Sequence, residues 1–328
     1  MKLNKSSSYV LIYLLQGYET AATISEQLKS VDIRSVQRSL IRLVDLGVIT
    51  RTGTNNPTYS VNYRQLINLD IDEKFLVDED RPSTTLNHQF IAWLNGLPRE
   101  GLEEVFGNHT SQYQPGAKMT AKELEYLTIE LSWRSSALEG NTYTLLDTQL
   151  LLTEGIKAKN RTEFETQMIL NHKDAISFIV ENPELFTSSI AFRTVEELHR
   201  IIGRNLGIES GIRKKIVRIS ASNYEPLSGP QQLREAADTV LSVISRVANP
   251  FARGLLALAL IPYLQVFEDG NKRTGRMLAN ALLITSIGRG FSLRKTDARE
   301  LALAYLAFYE FNSVKKLSRI LDNELSRQ

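Results

Sequence analysis

The stretch "QVFEDGNKRTGR", residues 265–276, sets an acid, a glycine, an amide and three cationic side chains directly after a strongly apolar segment. That segment, "FARGLLALALIPYLQVF", reads as a buried helix ending near Phe267, and a new helix is expected near Arg273. Residues 268–272 are then a tight loop running into a helix N-terminus, where unpaired N–H groups and the helix dipole favour an anion. Asn271 adds an amide donor, Arg273 and Arg276 can each hold phosphate oxygens with a fork of N–H groups, and Lys272 adds charge at the rim. Asp269 supplies the carboxylate that a phosphate-bridging Mg²⁺ needs, since that ion takes one or two carboxylates and leaves its other positions to phosphate and water. These residues describe a polyphosphate clamp. Taken alone, they equally fit a surface D-G-N turn whose arginines pair with nearby acids.

The 328 residues suffice for two domains, each with its own core. With 42% hydrophobic and 23% charged residues, the composition is that of an ordinary cytosolic globular protein, and a cytoplasmic location is expected. Charge is uneven: residues 1–65 hold eight Lys or Arg against four Asp or Glu, so the formal +2 splits into +4 there and −2 elsewhere. The absence of cysteine excludes disulfides and cysteine-based metal or nucleophile chemistry. His88, His109, His172 and His199 are scattered without metal-ligand spacing. No membrane contact is expected, because the apolar stretch at residues 255–261 is far shorter than the roughly 20 residues a bilayer demands. The apolar N-terminus is interrupted at residues 16–19 without a small-residue cleavage site, and reads as a first helix, not a leader.

From that first helix, at residues 8–18, the chain passes to "TISEQL", where Thr23 and Glu26 form a capping-box pattern for a second helix. "RSVQRSLIRLVDLGVI" then places Val36, Leu40, Leu43 and Val44 on one face and stops at Gly47. "VITRTG" and "TYSVNY" read as strands around the "GTNNP" turn. Three helices and a hairpin make a winged helix-turn-helix over residues 1–65. Arg34, Arg38 and Arg42 recur every four residues on its third helix, flanked by Gln37 and Ser39, a stripe suited to DNA phosphates and groove entry. A solvated face, or a winged helix used for protein contact, has the same pattern.

Residues 66–120, with acidic patches, Pro82, Pro98 and Pro115, read as a connector with short helical pieces. From residue 121 the pattern is helical almost throughout, so the fold class is mainly α. "IVRISASNYEPLSGP", residues 216–230, is the exception and reads as a strand or small β-hairpin.

The opening stretch resembles the signature of Fic-fold (Fido) proteins, H-x-F-x-[D/E]-G-N-[G/K]-R-x-x-R, at Phe267, Asp269, Gly270, Asn271, Arg273 and Arg276, with the Lys272 variant. The resemblance extends over residues 121–310: "SSALEGN" looks like the family's inhibitory motif at Ser135, Glu139 and Gly140, and "RISASNYEPLSGP" like its substrate-docking flap, carrying Tyr224 and Pro226. It implies a Fic-like helical bundle with a hairpin flap over residues 121–328, and transfer of AMP from ATP to a hydroxyl of a target protein. It implies further that Asp269 holds Mg²⁺, that Gly270, Asn271, Lys272, Arg273, Gly275 and Arg276 bind the nucleotide, and that Glu139 pairs with Arg276 and blocks the γ-phosphate. The departure is Gln265, which stands where the family places its catalytic histidine. A carboxamide cannot take a proton near neutral pH, so a nucleotide-binding protein impaired in transfer is expected. The alternatives are a transferase with another base and a DNA-binding regulator that uses the Fic-like part as a dimerisation scaffold; a homodimer suits either module.

Overall fold

The computed structural model describes residues 3–28, 31–107 and 118–326; His109 and Pro115 lie outside them. In chain order the elements are α1 (Lys5–Leu15), α2 (Ala21–Gln27), α3 (Ile33–Asp45), β1 (Ile49–Thr52), β2 (Thr58–Val61), α4 (Tyr63–Leu66), α5 (Glu73–Leu76), β3 (Thr84–Thr85), α6 (His88–Gly96) and α7 (Arg99–Phe106). There follow α8 (Ala121–Ala137), α9 (Leu145–Glu154), α10 (Glu163–Glu181), a 3-10 turn (Pro183–Phe186), α11 (Phe192–Gly203), β4 (Tyr224–Glu225), α12 (Pro230–Arg246), α13 (Pro250–Leu264), α14 (Asn271–Ile287), α15 (Ala298–Phe311) and α16 (Lys315–Leu325). The class is mainly α, with two small sheets.

The chain divides into two compact units. The first comprises Met1–Trp93, Val217–Pro226 and Arg299–Ser318, and the second Leu94–Ile216, Leu227–Ala298 and Arg319–Gln328. These borders cut across the chain-order division at residues 65 and 120, because distant segments bury their apolar faces together.

In the first unit Val10, Leu11, Leu14, Ile24, Val36, Leu40 and Leu43 form a core among α1, α2 and α3. The cap of α2 is Thr20, not the expected Thr23: the two threonines cap each other, the Thr20 hydroxyl taking the Thr23 N–H and the Thr23 hydroxyl the Thr20 N–H. Asp32 caps α3 by accepting from the Arg34 and Ser35 N–H groups. Gly47, with φ +68°, turns the chain out of that helix, a conformation open to glycine at no steric cost. β1 and β2 pair antiparallel, Ile49 opposite Val61 and Thr52 opposite Thr58.

Of the strand or small hairpin expected over residues 216–230, a two-residue strand, β4, forms and no hairpin does. β4 pairs parallel with β3, Thr84 opposite Tyr224, and a buried ion pair fastens it. Arg81 meets Glu310 through Nε (2.7 Å) and Nη2 (3.0 Å) and donates to the Ala221 and Asp78 carbonyls. Glu310 in turn accepts from the Ser222 hydroxyl and the Asn223 N–H. Tyr224 is 2% exposed and stacks on Tyr309.

In the second unit α13 and α14 pack along each other, and residues 251–264 of α13 are all buried. Pro262 and Gly275 set their spacing, since a Cβ on Gly275 would lie 2.8 Å from Pro262 Cδ. A second cluster joins Leu127 and Leu131 of α8, Ala175 and Ile176 of α10, Ile201 and Ile202 of α11, and Met277 of α14. This brings α8, α10 and α11 around the first turns of α14.

Candidate nucleotide site

Helix α13 ends at Leu264, three residues earlier than its apolar run suggests, because Gln265 adopts the left-handed conformation (φ +48°). Arg213, itself buried, holds that turn by donating from Nε to the Gln265 carbonyl (2.6 Å) and from its backbone N–H to the Val266 carbonyl. Gly270 (φ +78°) then admits α14, which starts at Asn271, two residues before the expected Arg273.

At the first position of α14, Asn271 staples the loop. Its Oδ1 accepts from the Phe267 N–H, and its Nδ2 donates to the Phe267 carbonyl (2.8 Å) and to Gln265 Oε1 (3.2 Å). Gln265 points inward as well, with Nε2 donating to the Pro262 carbonyl (2.6 Å). Both ends of its carboxamide are therefore occupied by the protein. His199 lies flat on Phe267, 3.8 Å between ring centres, and its Nε2 is 2.9 Å from the Asp269 carbonyl. Burial pushes the His199 imidazole below its ordinary pKa, so Nε2 is the protonated donor of a neutral ring.

No side chain caps the start of α14, and beside it Arg273 is only 3% exposed. Its Nη2 reaches Asp269 Oδ2 at 3.1 Å, but Nε and Nη1 have no hydrogen-bond partner among the described residues. Burial lowers the Arg273 pKa, while the group stays cationic. The Asp269 carboxylate is 68% exposed. Lys272 is half-buried at the rim.

Arg276 is 1% exposed and faces α8: Nε donates to Ser135 Oγ (3.0 Å), and Nη2 to the Ser135 carbonyl (3.2 Å) and Glu139 Oε1 (2.7 Å). Burial alone would raise the Glu139 pKa, but the fields of Arg276, Lys272 and Arg273 outweigh it and hold the carboxyl below its ordinary value. Gly140, with φ +91°, lets the chain leave α8 at that point.

The second unit thus brings together Gln265, Asp269, Gly270, Asn271, Lys272, Arg273, Arg276, Ser135, Glu139 and Gly140. On α14 Gly275 faces the Pro262 ring and the Ala257 carbonyl. Tyr224 is buried in the first unit, and Pro226 ends the same fastened segment. On α3 Arg34, Gln37, Arg38 and Arg42 are exposed on one face with Ile41, whereas Ser39 turns inward. Arg213, His172 and His199 escape sequence reasoning; an arginine or histidine at a lone helical or loop position carries no periodic or motif signal.

The loop and the start of α14 frame the candidate site, and comparison with known proteins shows what the chain is similar to. Residues 189–283 match the family model described as the Fic/DOC family. It is 27% identical over 157 residues to the protein adenylyltransferase Fic of Nematostella vectensis, covering 46% of this chain and 36% of that protein. It is 24% identical over 186 residues to the protein adenylyltransferase fic-1 of Caenorhabditis elegans, covering 55% and 35%. The chain thus spans about a third of the length of these curated relatives. A Fic domain containing signaling protein from Bacteroides thetaiotaomicron shares the fold at 18% identity and a TM-score of 0.51, with 69% of this chain and 94% of that one covered. No helix among the described residues is long and apolar enough to cross a membrane.

Proposed function

We propose that this protein holds Mg-ATP in the cradle at residues 265–276, is impaired in transferring AMP to a hydroxyl side chain of a target protein, is restrained by Glu139, and works in the cytoplasm. One observation carries the nucleotide reading: Arg273 is a buried guanidinium with two unbonded nitrogens beside an uncapped helix start. An anion with several oxygens satisfies both features, as a polyphosphate does. The named activity of the adenylyltransferase relatives supplies the reaction class.

The residues also fit a magnesium ion. Asp269 is an exposed carboxylate at the mouth, and no group of three or more acidic or histidine side chains suited to a metal occurs among the described residues. The ion would take Asp269 from the protein and its other oxygens from phosphate and water. Bound there, it would offset phosphate charge in the cradle.

Transfer of AMP joins the target oxygen to phosphorus, releases pyrophosphate, and obliges a base to take the hydroxyl proton. Gln265 offers no such base, and its amide is already bonded to Pro262 and Asn271. Loss of a positioned base costs about 10² to 10⁴ in rate. Calorimetric titration of the full chain with ATP and Mg²⁺ tests the reading. Wild type or, more strongly, Glu139→Gly is expected to give heat, and Arg273→Ala to lose about 1.5–3 kcal/mol of it in affinity, roughly 10- to 150-fold. Neither heat nor thermal shift in any of these proteins would overturn it.

A second reading concerns the N-terminal helices. The exposed cationic face of α3, with Arg34, Arg38 and Arg42 on successive turns, favours DNA as the partner of a winged helix. Full-chain binding to a DNA duplex should weaken with salt, and Arg38→Ala should reduce the log–log salt slope by about one. Salt-independent binding, or none, would point to a protein partner instead.

A further inference from the structure

Beneath the Arg276–Glu139 contact lies a histidine that the proposed function leaves unused. His172, on α10, is fully buried, with Nδ1 2.8 Å from the Met168 carbonyl oxygen and Nε2 2.8 Å from Ser135 Oγ. A carbonyl oxygen only accepts, so the proton sits on Nδ1 and, in the neutral ring, Nε2 is left as an acceptor. Burial keeps the ring neutral, lowering its pKa to about 3. The charged groups whose fields reach it are Arg273 and Arg276 from α14 and Glu139 after α8.

The direction of every following bond is then fixed. Ser135 has one hydroxyl proton, and Nε2 of His172 claims it. The Ser135 lone pairs are thereby turned toward Arg276 Nε, which donates to them at 3.0 Å. With Nε so anchored, and Nη2 also held by the Ser135 carbonyl, the plane of the guanidinium is set and Nη2 meets Glu139 Oε1 at 2.7 Å. Ser136 Oγ, 3.4 Å from His172 Nδ1, adds a second point at which α8 faces the same ring.

We propose that His172 is the positioning residue of the inhibitory contact, orienting Arg276 toward Glu139 through the single hydroxyl of Ser135. The proposal rests on the reading of Arg276 as an anion clamp occupied by Glu139, but it concerns a different element: α10, which supplies nothing to the cradle itself. Remove the imidazole and the Ser135 hydroxyl is free to rotate, Arg276 Nε loses an oriented acceptor, and the guanidinium is released to an incoming anion.

Three measurements on the full chain test it. In wild type, long-range ¹H–¹⁵N spectra should show His172 as the neutral Nδ1–H tautomer without titration from pH 7 to 5; the Nε2–H tautomer, or titration near 6.5, overturns the proposal. His172→Phe should speed hydrogen exchange of the Arg276 Nε–H about five- to tenfold, the effect of losing roughly one hydrogen bond, and His172→Gln, which keeps a donor and an acceptor, should restore part of the protection. Ser135→Ala, which leaves the ring in place, should match His172→Phe and serves if that variant fails to fold. Unchanged exchange in these variants means that His172 only fills space. Finally, His172→Phe should raise Mg-ATP affinity by a factor like that of Glu139→Gly, with no further gain in the double variant. Additive gains would show that His172 does not act through Glu139, whereas no nucleotide binding in any variant defeats the nucleotide reading and leaves the exchange result to decide the relay.

Discussion

Each unit of this protein buries an arginine against a glutamate, and the two pairs differ in how completely the partners are enclosed. Arg81 and Glu310 in the first unit are 4% and 0% exposed, meet through two nitrogens and two oxygens, and find further partners at Ala221, Asp78, Ser222 and Asn223. Arg276 and Glu139 in the second unit meet through one nitrogen and one oxygen, and Glu139 is 24% exposed. A desolvated pair is worth keeping only when its remaining donors and acceptors are filled, as they are around Arg81. The first pair is a fastener. The second has one side open to solvent, and on the function proposed above an incoming anion would displace the carboxylate at modest cost.

The largest expected effect tests the fastener. Glu310→Ala leaves Arg81 buried without its counter-charge and should lower the unfolding free energy by about 3–5 kcal/mol in urea denaturation, with no recovery on adding Mg-ATP. Recovery with nucleotide would erase the distinction between the pairs.

Acid should act on the second pair's support. His172 has a folded pKa of about 3 against an ordinary 6.5, so as pH falls the unfolded chain takes up this proton first. Its contribution is complete above about pH 6.5 and is lost as pH falls toward 3, at up to about 1.4 kcal/mol per unit. Between pH 6.5 and 4.5 that amounts to about 2–3 kcal/mol, and His199, also lowered by burial, adds in the same direction. Glu165, held at about 2 by hydrogen bonds from Thr142 and Thr162, responds only below the ordinary glutamate range and leaves that window clear. Denaturation curves for wild type and His172→Phe at three pH values would separate these shares; equal slopes would remove His172 as the source.

The smallest effect sharpens the contrast. Glu139→Gly should cost only about 1 kcal/mol, because the lost carboxylate is partly solvated and Arg276 keeps both Ser135 contacts, and saturating Mg-ATP should offset that cost. A loss as large as that of Glu310→Ala would make both pairs structural.

Much of the helical architecture was legible in the sequence because period, caps and glycine stops are local signals. Where two local signals compete, the reading slips by a few residues: Thr20 caps α2 although Thr23 also has capping chemistry, and α13 stops at Leu264 although Val266 and Phe267 continue the apolar run. The cradle residues were legible as a motif, since loop, helix start and cations lie within twelve positions. What was not legible is set by partners far away in the chain. The strand at Tyr224 finds Thr84 and Thr85, Arg81 finds Glu310, and His172 finds Ser135, and nothing in their neighbourhoods announces those pairings. The ring of Tyr224 is buried against Tyr309 in the first unit's interior, a placement that its local sequence does not announce.

Gly275 and Pro262 carry a last consequence. The closeness of α13 and α14 depends on a hydrogen atom facing a proline ring, and neither side can yield to a larger group. The span bridged by the loop is therefore set by the two helices it joins, and the Gln265 carboxamide, bonded to Pro262 and Asn271, crosses it from within. A methyl group added at position 275 would press on that frame from behind, without touching a polar side chain of the loop.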